Sequence, residues 1–264
     1  MWAPYSDIVT RAVPIRQRPR ALALITTGTS GGLVLLGGLA ILAELGTWRV
    51  VWAGIALSAV VAGVVNLVLV PRRGGDARED ERGGMSSLVT ALRVPIGYSA
   101  VYFAVVVVYF TYAADVLDRG DLPAVAVPAL YAGIGLCGMV AVATGAVANR
   151  LGSRRVAALC LATVGMALAL LGFAGGSPVA TAASACIFGV GYMVGSAVLA
   201  IWTAELVPDH ARAAFTGCLV VGAVSSVVAP MLAGAALTSV GLGPLLVATA
   251  AVSLLSGIVL LRRA

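Results

Sequence analysis

The side chains in this sequence best suited to bind an organic molecule are four tyrosines within one apolar segment, 94–114. Their spacings of 4, 7 and 3 residues place them within an arc of about 80° on a helix. They are Tyr98, Tyr102, Tyr109 and Tyr112. Such a stripe offers stacking surface and hydroxyl groups without a buried charge. The alternative is a structural role, with the rings packed between helices or anchoring the two ends of the segment.

A second apolar segment, 179–203, carries Tyr192, Met193 and Ser196 near its middle. Two acidic residues, Asp115 and Glu205, lie close to segment ends, where a carboxylate faces water at little cost. No acidic residue occupies the centre of an apolar segment, where a charge would cost about 2.5–3.5 kcal/mol in a membrane. Because such a charge usually marks a proton or ion relay, we expect no proton-coupling carboxylate within these segments.

An enzyme-like pattern of three aspartates follows the tyrosine stripe. Asp115, Asp118 and Asp121 form D-x-x-D-x-x-D, a spacing that could hold Mg²⁺ and a diphosphate, as in membrane prenyltransferases. No second acidic motif accompanies it. We therefore interpret the three aspartates as a solvated loop, and a membrane enzyme that uses this loop is a remote alternative.

The sequence predicts neither a metal site nor a cofactor. His210 is the only histidine, and the four cysteines form no C-x-x-C pair. The glycines at 133, 135 and 138 match the G-x-G-x-x-G dinucleotide fingerprint, but that fingerprint follows a strand. Here the glycines lie inside an apolar run. Close helix contact through small residues is the better interpretation.

Composition identifies the elements that must position these residues. Of the 264 residues, 61% are hydrophobic and 11% are charged, where a soluble domain carries roughly a quarter. Since about 20 apolar residues cross a bilayer as a helix, the sequence predicts an all-α membrane protein with about eight transmembrane helices. The eight apolar segments are 21–43, 50–70, 94–114, 124–147, 156–175, 179–203, 214–237 and 243–261.

The arginines predict the orientation of these segments. If the segments alternate in direction, 15 of the 17 basic residues lie on one side, and only Arg49 and Arg119 lie on the other. Basic residues concentrate in cytoplasmic loops, so we expect a multi-pass protein of the plasma membrane with both termini in the cytoplasm. The charges are spread over short loops, which excludes a nucleic-acid-binding patch.

The chain also contains a hydrophilic stretch and a weak internal repeat. Residues 71–93 mix charge with glycine and predict a flexible cytoplasmic linker between the second and third segments. Features around Val13-Pro14 recur around Val207-Pro208 at a constant offset of 194 residues, and both copies end in Arg-Arg. A repeat that covers six helices suggests two homologous halves.

Three features carry a resemblance to a known family. The loop after the fourth apolar segment reads Gly145-x-x-x-Asn149-Arg150-Leu151-Gly152-Ser153-Arg154-Arg155. It is similar to the G-x-x-x-D-R-x-G-R-R gating loop of the major facilitator superfamily of transporters. Trp48-Arg49 stands where that family often begins its sixth helix, and the linker 71–93 falls where the two halves of its fold join. Asn149 replaces the acidic residue of the loop, so only hydrogen bonding remains there.

The resemblance implies that the eight segments correspond to the family's fifth to twelfth helices. Residues 1–70 would then be a remnant of the first half, 71–93 the linker and 94–264 a complete six-helix half. On this alignment the chain lacks the first three helices and most of the fourth, so we expect either missing N-terminal helices or a partner chain.

The resemblance also implies a function. The segments 94–114 and 179–203 would be cavity-lining helices, which makes their tyrosines, Met193, Ser196, Asp115 and Glu205 candidates for contact with a substrate. The expected function is secondary transport of a small organic solute by alternating access, with no enzymatic activity. The alternative is a truncated membrane protein that does not transport, or an assembly partner.

Overall fold

A computed structural model describes residues 13–14, 17–44, 48–69 and 85–262, and these residues are almost entirely helical, with no strand. The expected all-α membrane fold is confirmed. The α-helices are α1 (Arg18–Glu44), α2 (Trp48–Leu69), α3 (Met85–Arg119), α4 (Ala126–Gly138), α5 (Thr144–Leu151), α6 (Ser153–Ala174), α7 (Pro178–Leu206), α8 (Ala211–Val240) and α9 (Leu242–Arg262).

Seven spans within the described residues are long and apolar enough to cross a membrane. One of them, Ala126–Leu151, comprises α4, a short 3₁₀ segment and α5. The sequence predicts eight spans, and the remaining one is α1, whose apolar part covers only Thr27–Ala43. Threonine, serine and glycine are frequent in the first half of α1, which lowers its hydropathy. The chain is a multi-pass membrane protein.

The predicted linker 71–93 only partly falls within the described residues. Residues 71–84 lie outside them, whereas 85–93 form the first turns of α3. α3 is therefore 35 residues long and continues through Pro95. The helical turns before Pro95 carry Arg93, which places this arginine near the beginning of the apolar span.

α7 is the most buried span and lies at the centre of the bundle. It packs against α4 and α6, and α6 packs in turn against α9. α3 packs closely against α8, and α1 packs against α4 and α7. α2 contacts α1, and none of its apolar span is buried. The core thus sits among α3, α6 and α7, where the tyrosine stripe lies.

Small residues bring α1 and α4 into close contact. A methyl group added to Gly37 would lie 2.7 Å from the backbone nitrogen of Ala132. One added to Gly135 would lie 2.6 Å from the carbonyl oxygen of Ser30. The interpretation of the glycine motif as a helix-packing surface is confirmed for Gly135, and the motif lies in a helix with no strand before it.

The chain reverses between α5 and α6 at Gly152, a glycine of the loop motif 145–155. Its dihedral angles, φ 85° and ψ 139°, belong to a region that side chains with a Cβ atom rarely adopt. Gly152 ends α5 and precedes the first residue of α6. The loop motif therefore requires glycine at this position for backbone geometry.

Gly152→Ala is expected to lower the thermal stability of the protein, by about 1–3 kcal/mol, because alanine is strained in this conformation. The expected loss is measured as a decrease in melting temperature of the purified protein in detergent. Gly38→Ala is the matched control, since an added methyl group there meets nothing within 4 Å. If both variants melt at the same temperature, the positive φ is not the reason for the glycine.

Candidate functional site

Two tyrosine hydroxyls connect the first half of α3 to the second half of α7. The Tyr98 hydroxyl donates to the carbonyl oxygen of Gly195 at 3.1 Å. The Tyr102 hydroxyl donates to the carbonyl oxygen of Tyr192 and lies 3.0 Å from Ser196 Oγ. The Tyr98 and Tyr102 rings stack with centroids 5.2 Å apart. Tyr102 and Ser196 are therefore neighbours in one polar contact inside the bundle.

The other two tyrosines of the stripe extend these contacts toward the end of α3. The Tyr109 hydroxyl lies 3.0 Å from Ser184 Oγ, which donates to the carbonyl oxygen of Ala167 on α6 at 2.8 Å. The Tyr112 hydroxyl donates to the carbonyl oxygen of Pro230 on α8 at 3.3 Å. All four tyrosines are buried, and each hydroxyl is bonded to another helix. The tyrosine stripe therefore stabilises the contacts of α3 with α7 and α8.

A glycine on α7 makes room for two of these rings. A methyl group added to Gly195 would lie 2.5 Å from Cε2 of Tyr102 and 2.8 Å from the Tyr98 hydroxyl. The rings thus lie directly on the α7 backbone, which is why its carbonyl groups accept their hydrogen bonds. The sequence shows a glycine-rich segment here, but it does not indicate which glycine faces the tyrosines.

Phenylalanines that the sequence analysis did not single out complete the aromatic cluster. Phe188 stacks on Tyr109 with centroids 3.7 Å apart and on Tyr192 at 5.8 Å. Phe110 meets Tyr192 edge to face at 5.2 Å and stacks on Tyr131 of α4 at 6.0 Å. The sequence does contain a signal for Phe188, because Phe188 and Tyr192 are four positions apart and therefore share one helix face.

The cluster has a buried side and a partly exposed side. Tyr102, Tyr109 and Phe188 have no exposed surface. The residues on the partly exposed side come from α3, α4 and α7, and each retains intermediate exposure: Phe103, Phe110, Tyr131, Tyr192 and Ser196. This side, which we call the aromatic face, is the part of the cluster that retains accessible surface.

The remaining predicted contacts lie away from the aromatic face. Met193 is buried between α7 and α4, with its Cγ 2.5 Å from the position of a methyl group on Gly138. Asp115 and Glu205 are both exposed. Because α3 and α7 pair in antiparallel fashion, the two carboxylates lie at opposite ends of the cluster. Their predicted role in binding stays a prediction.

Within the described residues, one side chain of the loop motif 145–155 is hydrogen-bonded to another helix. Arg154 donates from Nε to the carbonyl oxygen of Leu260 at 3.2 Å, which binds the beginning of α6 to the end of α9. Gly145 is buried, whereas Asn149, Arg150 and Arg155 are exposed. The predicted gating role of this loop stays a prediction.

The aspartate pattern does not form a compact site. Asp115, Asp118 and Asp121 are all exposed, and Asp121 has a φ of 50° in the turn after α3. Among the described residues, no three histidine, cysteine or carboxylate side chains lie close enough together to hold a metal ion. The three aspartates are exposed as expected, but only Asp121 lies in a loop, because Asp115 and Asp118 belong to the last turns of α3.

Comparison with known proteins identifies the family. No protein among the curated ones matches the chain. The family model of the Major Facilitator Superfamily matches residues 1–145, which is more than half of the sequence. This match agrees with the apolar helices of the fold, and it covers Trp48-Arg49 and the stretch 71–93, two of the three features that carry the resemblance. The chain belongs to the Major Facilitator Superfamily.

Proposed function

We propose that this chain carries a small organic solute across the plasma membrane by alternating access. Membership of the family implies membrane transport of a solute. The observation that supports a binding role for this part of the molecule is the aromatic face, which collects partly exposed rings from three helices, with Ser196 one turn along α7 from Tyr192. In such a transporter the solute binds between two halves that rock against each other.

The chemistry of the aromatic face favours a neutral aromatic or amphipathic solute. Phe110, Tyr131 and Tyr192 offer ring surfaces for stacking, and the Ser196 hydroxyl offers a polar contact. Aromatic rings bind by apolar contact and by preferred stacking geometries. No carboxylate lies within the cluster among the described residues, so a solute with a strong positive charge would lack a counter-ion there.

The junction of α1 with α4 and α7 is suited to movement between the halves. In the proposed division α1 belongs to the first half, and α4 and α7 belong to the second. The contact between α1 and α4 depends on glycines, so few long side chains have to rearrange if the two helices shift. The Ser30 hydroxyl is buried at this junction with no hydrogen-bond partner among the described residues. A displacement of α1 that pairs this hydroxyl would stabilise the second conformation.

The proposed mechanism predicts that Ser196 meets water from both sides of the membrane in turn. On a background without the native cysteines, Ser196→Cys is expected to react with an impermeant maleimide in right-side-out and in inverted vesicles. Cysteine has nearly the size of serine, so the aromatic cluster remains in place. The measurement is the labelled fraction in each vesicle type.

Two further single cysteines serve as controls. Leu232→Cys lies on an exposed apolar surface of α8 and is expected to remain unlabelled, because lipid covers that surface. Asp118→Cys, in the exposed last turn of α3, is expected to label from one side only. Labelling of Ser196→Cys from one side alone, or from neither side, would contradict alternating access at this face.

A further inference from the structure

A long groove runs over the surface of the bundle between α3 and α9. Its first part is a cavity of about 640 Å³ where α3 begins, α6 begins and α9 ends. Its second part is a cavity of about 500 Å³ that continues along α3 and α9 and reaches α8. Val101 lines both cavities, so they adjoin each other at this residue. The groove lies on α3 between α6, α8 and α9, whereas the aromatic face lies between α3, α4 and α7.

The groove is polar at one end and apolar along the rest of its length. Arg93, Arg154 and Ser256 line the first cavity together with Tyr98 and aliphatic side chains. The second cavity is lined almost entirely by aliphatic residues, such as Val105, Val108 and Val252. The corresponding faces are continuous on both helices, because lining residues recur every three or four positions. A ligand that matches this lining has a polar head and an apolar tail.

The polar end has an uncompensated positive charge. Arg93 is exposed and forms no ion pair within the described residues, and no acidic side chain lines the cavity there. Arg154 is held in place by the bond from its Nε to the Leu260 carbonyl oxygen, which leaves its terminal nitrogens as donors. Two guanidinium groups around one cavity are suited to a phosphate, which they bind by charge-assisted hydrogen bonds.

The dimensions of the groove fit one leaflet of a bilayer. From Arg93 to Val108 the groove follows 15 residues of α3, about 22 Å of helix, and half of a hydrocarbon core is about 15 Å. A headgroup at Arg93 and Arg154 therefore places an acyl chain along the aliphatic walls. Basic pockets between transmembrane helices at the cytoplasmic side are known to suit anionic headgroups.

We propose that this groove is a binding site for a phospholipid with an anionic headgroup. Its phosphate is bound between Arg93 and Arg154, and one acyl chain lies between α3 and α9. The site lies outside the aromatic face, although Tyr98 of the tyrosine stripe lines its first cavity, and it does not depend on the chain being a transporter. The exposed aliphatic residues of the groove, Leu255 and Val259 among them, are then covered by lipid of a defined kind.

The test is a lipid titration of the purified full chain in detergent, with bound lipid counted by native mass spectrometry. Phosphatidylglycerol is expected to bind more tightly than phosphatidylcholine with the same acyl chains. Arg93→Gln is expected to lower the affinity for phosphatidylglycerol about 5-fold. The double variant with Arg154→Gln is expected to lower it about 30-fold. Arg155→Gln is the matched control, because Arg155 is exposed next to Arg154 in the first turn of α6 but does not line the groove.

A second variant tests the apolar part of the site. Val259→Trp places a large ring in the first cavity, and it is expected to displace the lipid without removing a charge. Arg93 makes no hydrogen bond within the described residues, so its replacement leaves the fold intact, and the melting temperature checks this for each variant. Soluble glycerol phosphate in millimolar excess is expected not to displace phosphatidylglycerol.

Several results would overturn the proposal. Equal affinity for the two lipids would exclude recognition of the anionic headgroup. If Arg155→Gln and Arg93→Gln lower the affinity for phosphatidylglycerol equally, the lipid is attracted by the general positive charge of the surface. Unchanged binding in Val259→Trp would exclude the groove, and displacement by glycerol phosphate would indicate a site for free phosphate.

Discussion

Gly189→Ala is expected to cause one of the largest losses of stability among single-methyl additions to this protein. The added methyl group would lie 2.2 Å from the carbonyl oxygen of Ile134 and 2.9 Å from its Cα atom. These are backbone atoms of α4, so no side-chain rotation relieves the overlap, and α7 must move away from α4. Overpacking costs roughly 1–3 kcal/mol, and we expect a value near the upper end of that range. The measurement is unfolding of the purified protein by a denaturing detergent in mixed micelles.

Gly217→Ala is the control for this prediction. Gly217 is exposed within α8, and an added methyl group meets nothing within 4 Å. Alanine forms helix more readily than glycine by about 1 kcal/mol, so this variant is expected to be neutral or slightly more stable. Equal destabilisation of the two variants would mean that the loss comes from glycine replacement in general, and that the close contact between α4 and α7 is not required.

The contact at Gly189 shows what a single sequence reveals about this fold and what it leaves out. The apolar length of a segment is a local property, and it predicts a membrane helix with little ambiguity. The identification of Gly135 as a packing residue also required only local context. Which atom of α4 faces Gly189 depends on how two helices are paired and rotated, and neither is encoded in one segment alone.

The tyrosine stripe was predictable for the same reason, and its partners were not. Helical periodicity places Tyr98, Tyr102, Tyr109 and Tyr112 on one face of α3. The acceptors of their hydroxyls include backbone carbonyl groups of Gly195 and Pro230, which no residue pattern marks. The binding groove at Arg93 was missed because its walls come from helices far apart in the chain. Polar contacts with backbone atoms and sites between distant helices require the three-dimensional arrangement.

The second large effect is expected for Tyr102→Ala. Tyr102 has no exposed surface, and its ring stacks on Tyr98 and meets Phe103 edge to face at 5.2 Å. Its hydroxyl binds the α7 backbone and lies 3.0 Å from Ser196 Oγ. Removal of a buried aromatic ring typically costs about 3–5 kcal/mol, because the surrounding side chains fill the space only in part. The same unfolding measurement in mixed micelles gives the loss.

Tyr102→Phe separates the ring from its hydroxyl. Hydrogen bonds between membrane helices contribute about 0.6 kcal/mol on average, with a maximum of about 1.7, so this variant is expected to lose much less stability than Tyr102→Ala. Phe173→Ala removes a ring that is 77% exposed on α6, and a small effect there would show that burial accounts for the loss. If Tyr102→Phe destabilises as much as Tyr102→Ala, the hydroxyl bonds hold α3 to α7. The aromatic face would then depend on a polar contact between α3 and α7.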